Sequence, residues 1–336
     1  MNEFSTAFKK KIFSITPASF EASTIELFAY QYEHNKTYQA FCNALRVQPA
    51  QVKTLEQIPF LPIQFFKSAS ICTGSFVSQQ TFESSGTTGS VNSKHYVKDL
   101  GIYEASFLAA FKLFYGDLKD YCILGLLPSY LERQHSSLVY MVNEWIVQSG
   151  HSNSGFYLYD FEKLQNTIIE NERNKVPTLL IGVTYALLDF AAQYPMQLSH
   201  CIVMETGGMK GRREELTRTE VHEQLQAAFG LQCVHSEYGM TELLSQAYSK
   251  GEGIFRCPPW MKVVVRAEDD PLELITAPRP GRTFAAGVVN VIDLANIYSC
   301  AFIATDDVAK LYADGSFEVL GRLDNSDLRG CGLMIL

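Results

Sequence analysis

The chain has 336 residues, of which 47% are hydrophobic, and a formal net charge of −8. That length and apolar content support one large core or two intimate domains, and the acidic balance argues against sequence-independent nucleic-acid binding. No long apolar stretch follows Lys9, Lys10 and Lys11, and no uncharged run is long enough to span a bilayer, so neither a secretory signal nor a membrane span is expected. Cysteines stand singly at positions 42, 72, 122, 201, 233, 257, 300 and 331. Without a C-x-x-C pair they suggest reduced thiols in the cytoplasm rather than a zinc site or a disulfide framework.

Ala22–Leu45 carries apolar residues at helical spacing, and Pro59 and Pro62 punctuate the next stretch, IPFLPIQFFKS. Ile102–Phe114 reads as a helix, Tyr121–Leu127 as a short strand and Ser136–Val147 as a helix. Phe156–Tyr159 is strand-like, Glu162–Arg173 helical, and Thr178–Val183 a strand followed by a helix to about Gln193. Cys201–Glu205 is a strand, Arg212–Phe229 a helix and Gln232–Ser236 a strand. This alternation predicts an α/β fold with mostly parallel strands and crossover helices over residues 1–250. Met261–Val265, Leu272–Thr276, Gly287–Val291 and Phe317–Leu320 then read as strands separated by Pro, Gly and Asp, predicting a smaller β-rich subdomain over 251–336.

Four segments carry chemistry. The first, Thr81–Asp99, contains Ser84, Ser85, Gly86, Thr87, Thr88 and Gly89, a run without a bulky side chain. Such a run can wrap an anion in backbone N–H groups and hydroxyls, Lys94 can add a point charge, and a helix starting near Leu100 can aim its N-terminus at the same place. A polyphosphate is the expected ligand, an ordinary polar loop the alternative. No Gly-Lys-Ser/Thr of a Walker loop and no Gly-x-Gly-x-x-Gly fingerprint is present.

The second segment reads SEYGMTE and follows a strand, the position where ligands sit in open α/β sheets. Tyr238 offers a flat face for a purine, with Gly239 beside it, Thr241 a hydroxyl for a phosphate oxygen, and Glu242 a hard oxygen ligand for Mg²⁺. A half-buried core tyrosine and a helix-start carboxylate are the alternatives. Third, ETGGMKG places Gly207 and Gly208 directly after a strand, where backbone can approach a flat ring closely; a simple strand-to-helix turn is the other reading. Last, Thr305-Asp306-Asp307 is expected to lie in a loop after the strand-like IYSCAFIA, where a carboxylate can accept both hydroxyls of a ribose. Attraction for ATP in so acidic a chain has to come from such local features.

The order of these segments, closed by GRLDNSDLRGC, resembles the adenylate-forming enzymes: acyl- and aryl-CoA ligases, peptide-synthetase adenylation domains and luciferases. The resemblance implies that Ser85–Gly89 bind phosphate, that Gly207, Gly208, Tyr238 and Gly239 surround adenine, and that Glu242 holds Mg²⁺. It favours Asp307 as the ribose acid, although Asp306 stands where the family usually has Gly. It also implies that Arg322 reaches the ribose or α-phosphate and that Asp324 is the hinge. Such enzymes usually continue past this hinge into a further domain, whereas this sequence ends at Leu336. A naturally short subfamily is favoured over a truncation, because ESSGTTGSVNSKHYV, LPSYLERQHSSLVYMV, ETGGMKGRREEL and YGMTELLSQAYS are similar to the acyl-protein synthetases of bacterial luminescence operons, the LuxE type.

That narrower resemblance implies activation of a fatty or other carboxylic acid as acyl-AMP, with ATP and Mg²⁺. Transfer to Cys331 and on to a partner such as an acyl reductase or acyl carrier would follow. Arg329, two residues from Cys331, would share its face in an extended segment and lower the thiol pKa. His135 lies where related enzymes line the acid site. A CoA ligase of the phenylacetate type, or a non-catalytic nucleotide- or acyl-binding subunit, are the competing expectations.

Overall fold

A computed structural model describes residues 3–84, 91–128, 135–207 and 216–323. The chain opens with helices α1 (Glu3–Lys11), α2 (Pro17–His34) and α3 (Lys36–Ala44). In α1, Glu3 occupies the first turn and Lys9, Lys10 and Lys11 the last, matching the helix dipole at both ends. The single helix expected over Ala22–Leu45 is two helices. Asn35 divides them: its backbone is extended and its side chain accepts from Tyr38 N at 3.0 Å, capping α3. Strand β1 (Leu61–Pro62) and helix α4 (Phe65–Ser68) lead to an antiparallel hairpin of its own, β2 (Gln80–Glu83) and β3 (Lys94–Val97).

The α/β body comes next as α5 (Leu100–Tyr115), β4 (Cys122–Leu126), α6 (Ser137–Ser149), β5 (Gly155–Phe156), α7 (Phe161–Arg173), β6 (Thr178–Val183), α8 (Thr184–Gln193), β7 (Cys201–Thr206), α9 (Arg218–Phe229) and β8 (His235–Tyr238). Strands β5, β4, β6, β7 and β8 are parallel neighbours in that order. β4 and β6 are buried at every position, which is what the uninterrupted runs CILGL and TLLIGV encode for a sheet covered on both faces. Then come β9 (Ala247–Ser249), β10 (Ile254–Arg256), β11 (Met261–Arg266), β12 (Leu274–Ile275), β13 (Phe284–Asp293), β14 (Phe302–Tyr312) and β15 (Phe317–Arg322). They extend the same sheet antiparallel, in the order β8-β9-β10-β15-β14-β13-β11-β12, and β1 adds to β14 in parallel. The switch of direction falls between β8 and β9, so the carboxyl end of β8 lies where two architectures meet.

Two differences from expectation bear on the site. β8 starts at His235, not Gln232, because the residues after α9 finish its cap: Gly230 is left-handed and Leu231 N donates to Gln226 O at 3.2 Å. Tyr238 therefore ends a strand. The IYSCAFIA segment is divided at Phe302: residues 293–301 form a buried turn, and β14 runs on to Tyr312. Asp306 and Asp307 are therefore strand residues, not loop residues. Tyr38 stacks on Phe302 and meets Phe28 edge-on, with centroids 5.8 and 6.0 Å apart, which fastens α2 and α3 to β14. Among the described residues no disulfide forms, and no helix is long and apolar enough to cross a membrane.

Candidate active site

Strand register brings three of the expected nucleotide residues together. β14 pairs with β15 so that Asp307 faces Arg322 across the ladder. Arg322 Nε donates to Asp307 Oδ1 at 3.1 Å, and the Tyr238 hydroxyl, from the end of β8, donates to Asp307 Oδ2 at 2.8 Å. The neighbouring acid points the other way, as strand alternation requires: Gln64 Nε2 donates to both oxygens of Asp306 at 2.8 Å. Burial and the adjacent Asp307 carboxylate push the Tyr238 phenol well up, and the same carboxylate raises the Arg322 guanidinium. The Tyr238 ring is 8% exposed and packs edge-to-face on Phe255 and Phe317, at 5.9 and 5.5 Å. In this arrangement it serves Asp307 and the core, and its faces are not open as the purine platform expected from sequence.

The SEYGMTE loop lies against the hairpin. Ser93, just before β3, and His95, on it, are both buried, and Lys94 between them is exposed. The Ser93 hydroxyl meets the Glu242 carboxylate. His95 Nδ1 donates to Thr241 O at 2.9 Å, and burial lowers this imidazole to about 4, so it is neutral. Glu242 is 4% exposed; burial raises its carboxyl, with Ser93, its own N–H, Arg322 and Lys67 pulling the other way. Lys94 Nζ sits 3.5 Å from Glu83 Oε1, its cross-strand partner, at the hairpin mouth. His135 is exposed, and its carbonyl accepts from Glu83 N at 2.9 Å, so the structure sets it beside that mouth.

Helix α5 does not present a bare N-terminus to an anion. Asp99 caps it, accepting from Gly101 N at 3.1 Å and pairing with Lys9, so a carboxylate already occupies the positive end. Gly207 is exposed at the carboxyl end of β7 with φ +73°, a conformation that favours glycine, and its carbonyl accepts from Thr184 Oγ1 at 3.1 Å. Gly239, also exposed, follows Tyr238; a Cβ there would stand 2.4 Å from Glu237 Oε1. Ser85, Gly86, Thr87, Thr88, Gly89, Gly208, Asp324, Arg329 and Cys331 lie outside the described residues.

No family model and no curated protein matches the sequence. Solved structures do. ATP-bound MatB from Rhodopseudomonas palustris aligns over 72% of this chain and 47% of its own, at 16% identity and a TM-score of 0.51. The luciferase-like enzyme from the nonluminescent Zophobas morio mealworm aligns over 75% and 60%, at 16% identity and a TM-score of 0.51. The fold is that of the adenylate-forming enzymes. The chain spans 47% to 60% of the length of these structures and of an ATP-bound MatB chimera.

In this adenylate-forming fold two further carboxylates stand at the strand ends that the sequence motifs mark. Glu205 and Glu237 are both buried, on the adjacent strands β7 and β8. Burial would raise Glu205, but His222, Arg218 and Ser236 outweigh it and hold the group below its ordinary range. Ser236, His222 and Glu205 do not form a nucleophilic relay: serine and carboxylate approach the same ring nitrogen, Nε2, at 3.2 and 3.7 Å, and Ser236 is fully buried. The Thr206 hydroxyl donates to Glu237. Burial pushes Glu237 up to about 7, Thr206 opposing and Glu205 adding to the shift.

A raised carboxyl keeps a proton in the folded state that the unfolded chain releases. Stability is therefore full below the ordinary value of 4.5 and declines as pH rises through about 7, by on the order of 3 kcal/mol. Glu237→Gln cannot ionise, so its melting temperature should fall less between pH 5 and 8 than that of the wild type. Equal slopes in thermal melts of the two proteins would clear Glu237 of this role.

Proposed function

We propose that the chain is an ATP-dependent, AMP-forming acid ligase that activates a carboxylic acid, of the fatty class, as acyl-AMP. The observation that carries this reading is the convergence of Tyr238, from the end of β8, on the Asp307–Arg322 pair of β14 and β15, beside the loop that presents Glu242. In this reading an oxygen of the acid attacks the α-phosphorus of ATP, the bond to the β-phosphate oxygen breaks, and pyrophosphate leaves. Two anions meet in that step, so charge neutralisation and in-line placement dominate the barrier.

Glu242 fits a divalent cation. It is a buried carboxylate raised by desolvation, and among the described residues it forms no ion pair with a Lys or Arg. Mg²⁺ held there would neutralise phosphate charge. Asp307 would accept the ribose hydroxyls on the lone pairs left by Tyr238 and Arg322. Arg322, with its side chain 79% exposed, is free to reach phosphate oxygens, and Lys94 and Thr241 would add a charge and a hydroxyl from the two sides of the hairpin mouth. Fatty-acid specificity, transfer of the acyl group to the Cys331 thiolate with release of AMP, and delivery to an acyl reductase or acyl carrier complete the proposal. They rest on the resemblance of the motifs.

Pyrophosphate release measured across a panel of aliphatic and aromatic acids tests the first half; no release with any acid would leave a binding subunit as the better reading. Cys331→Ala tests the second. It should form acyl-AMP at the wild-type rate and retain no hydroxylamine-sensitive radiolabelled acyl group. Equal labelling of variant and wild type would mean another acceptor. A wild type that never labels, yet turns over with CoA, would point to a CoA ligase.

A further inference from the structure

The buried turn between β13 and β14 grips the Glu242 loop at that residue and at the two residues that follow Leu243. Asp293, at the end of β13, is fully buried. Its Oδ2 accepts from Leu244 N at 2.7 Å and Ser245 N at 3.1 Å; its Oδ1 accepts from the Ser245 hydroxyl at 2.6 Å and Ala295 N at 3.1 Å. Asn296, also fully buried, donates from Nδ2 to Glu242 O at 2.8 Å. The turn is itself held by Gln31 of α2. Gln31 Nε2 donates to the carbonyls of Asn296 and Ile297 at 2.8 and 3.1 Å, and its Oε1 accepts from Ala301 N at 2.9 Å.

Residues 239–246 belong to neither helix nor strand, so their peptide groups lack ladder partners, and a buried peptide without a partner is costly. An apolar turn could not supply those partners. Four donors converging on one buried carboxylate, with no cation paired to it among the described residues, are a demanding arrangement that persists only when every group is satisfied. Its mechanical effect is specific. The carbonyl of Glu242 and the next two free N–H groups along the chain are fixed, so the backbone that aims the Glu242 carboxylate has one conformation.

We propose that Asp293 and Asn296 act as a positioning clamp for Glu242, setting the direction of its carboxylate toward the bound cation without touching nucleotide or acid. This rests on the reading of Glu242 as a ligase residue. Supporting residues of this kind typically change metal affinity by about 10–100-fold when altered.

The test is a Mg²⁺ titration of acid-dependent pyrophosphate exchange at saturating ATP, with thermal melts of the same proteins. Asn296→Ala removes one donor and leaves the acid. Asp293→Asn keeps the shape but turns an NH₂ toward N–H or O–H donors. Both should raise the half-saturating Mg²⁺ concentration about tenfold or more. Tyr38→Phe, which removes a buried 2.6 Å hydrogen bond to Pro59 O and none of the bonds of the clamp, should lower the melting temperature and leave the Mg²⁺ titration unmoved. Should Asp293→Asn fail to fold, Asn296→Ala decides. Wild-type Mg²⁺ dependence in Asn296→Ala, or an equal shift in Tyr38→Phe, would overturn the clamp. A wild type that exchanges nothing with any acid removes the ligase reading itself, and the clamp with it.

Discussion

Glu242→Gln should lower acid-dependent pyrophosphate exchange by about a hundred- to a thousandfold, the scale typical of losing one group that stabilises transition-state charge. The substitution keeps shape and removes only the charge. The loop itself should hold, because its ties run through the backbone: Thr241 O to His95, Glu242 O to Asn296, and Leu244 N and Ser245 N to Asp293. Since burial raises the Glu242 carboxyl, exchanging it for a neutral amide removes a disfavoured buried charge, and the melting temperature should stay level or rise. Loss of exchange with an intact melt is therefore the expected pair of results. Exchange within a few-fold of wild type at low Mg²⁺ would take Glu242 out of the mechanism.

Asp307→Ala should weaken ATP binding about 10–100-fold, the equivalent of one or two hydrogen bonds to a charged group. It should also destabilise the fold, by about 1–3 kcal/mol, because the Tyr238 hydroxyl is left buried without its acceptor. Asp307→Asn separates the two effects. The amide oxygen can still accept from Tyr238, so stability should largely return, while the ion pair with Arg322 and the ribose acceptor are lost. Calorimetric titration with ATP and thermal melts of both variants check this. Wild-type ATP affinity in Asp307→Ala would place the nucleotide elsewhere.

The α/β body was legible because its evidence is local. CILGL is apolar throughout, TLLIGV after its first residue and CIVMET through its first four, and each is bounded by helical patterns; a strand covered on both faces needs little else. The hairpin β2–β3 was not, since QTFE and KHYV are polar sequences whose pairing is set across a loop and against Thr241. The choice between Asp306 and Asp307 depended on strand phase, and IYSCAFIA hides that phase by being apolar on both sides of the break at Phe302. Glu205 and Glu237 lay inside noted motifs, but what distinguishes them is tertiary burial, which no spacing reveals. Asp293 and Asn296 read as ordinary turn residues for the same reason.

Gln31 is hydrogen-bonded to a turn whose farthest partner, Ala301, lies 270 positions along the chain. At roughly 5–20 residues per second, a ribosome needs about 14–54 s to deliver that partner after Gln31 has been made. Until then Gln31 lacks the partners among which it is buried in the finished fold, and Phe28 and Tyr38 lack Phe302. The amino-terminal helices are thus early to be synthesised and late to be docked. A nascent chain stalled before residue 301 should expose them to protease and to chaperones, whereas release of the completed chain should protect them.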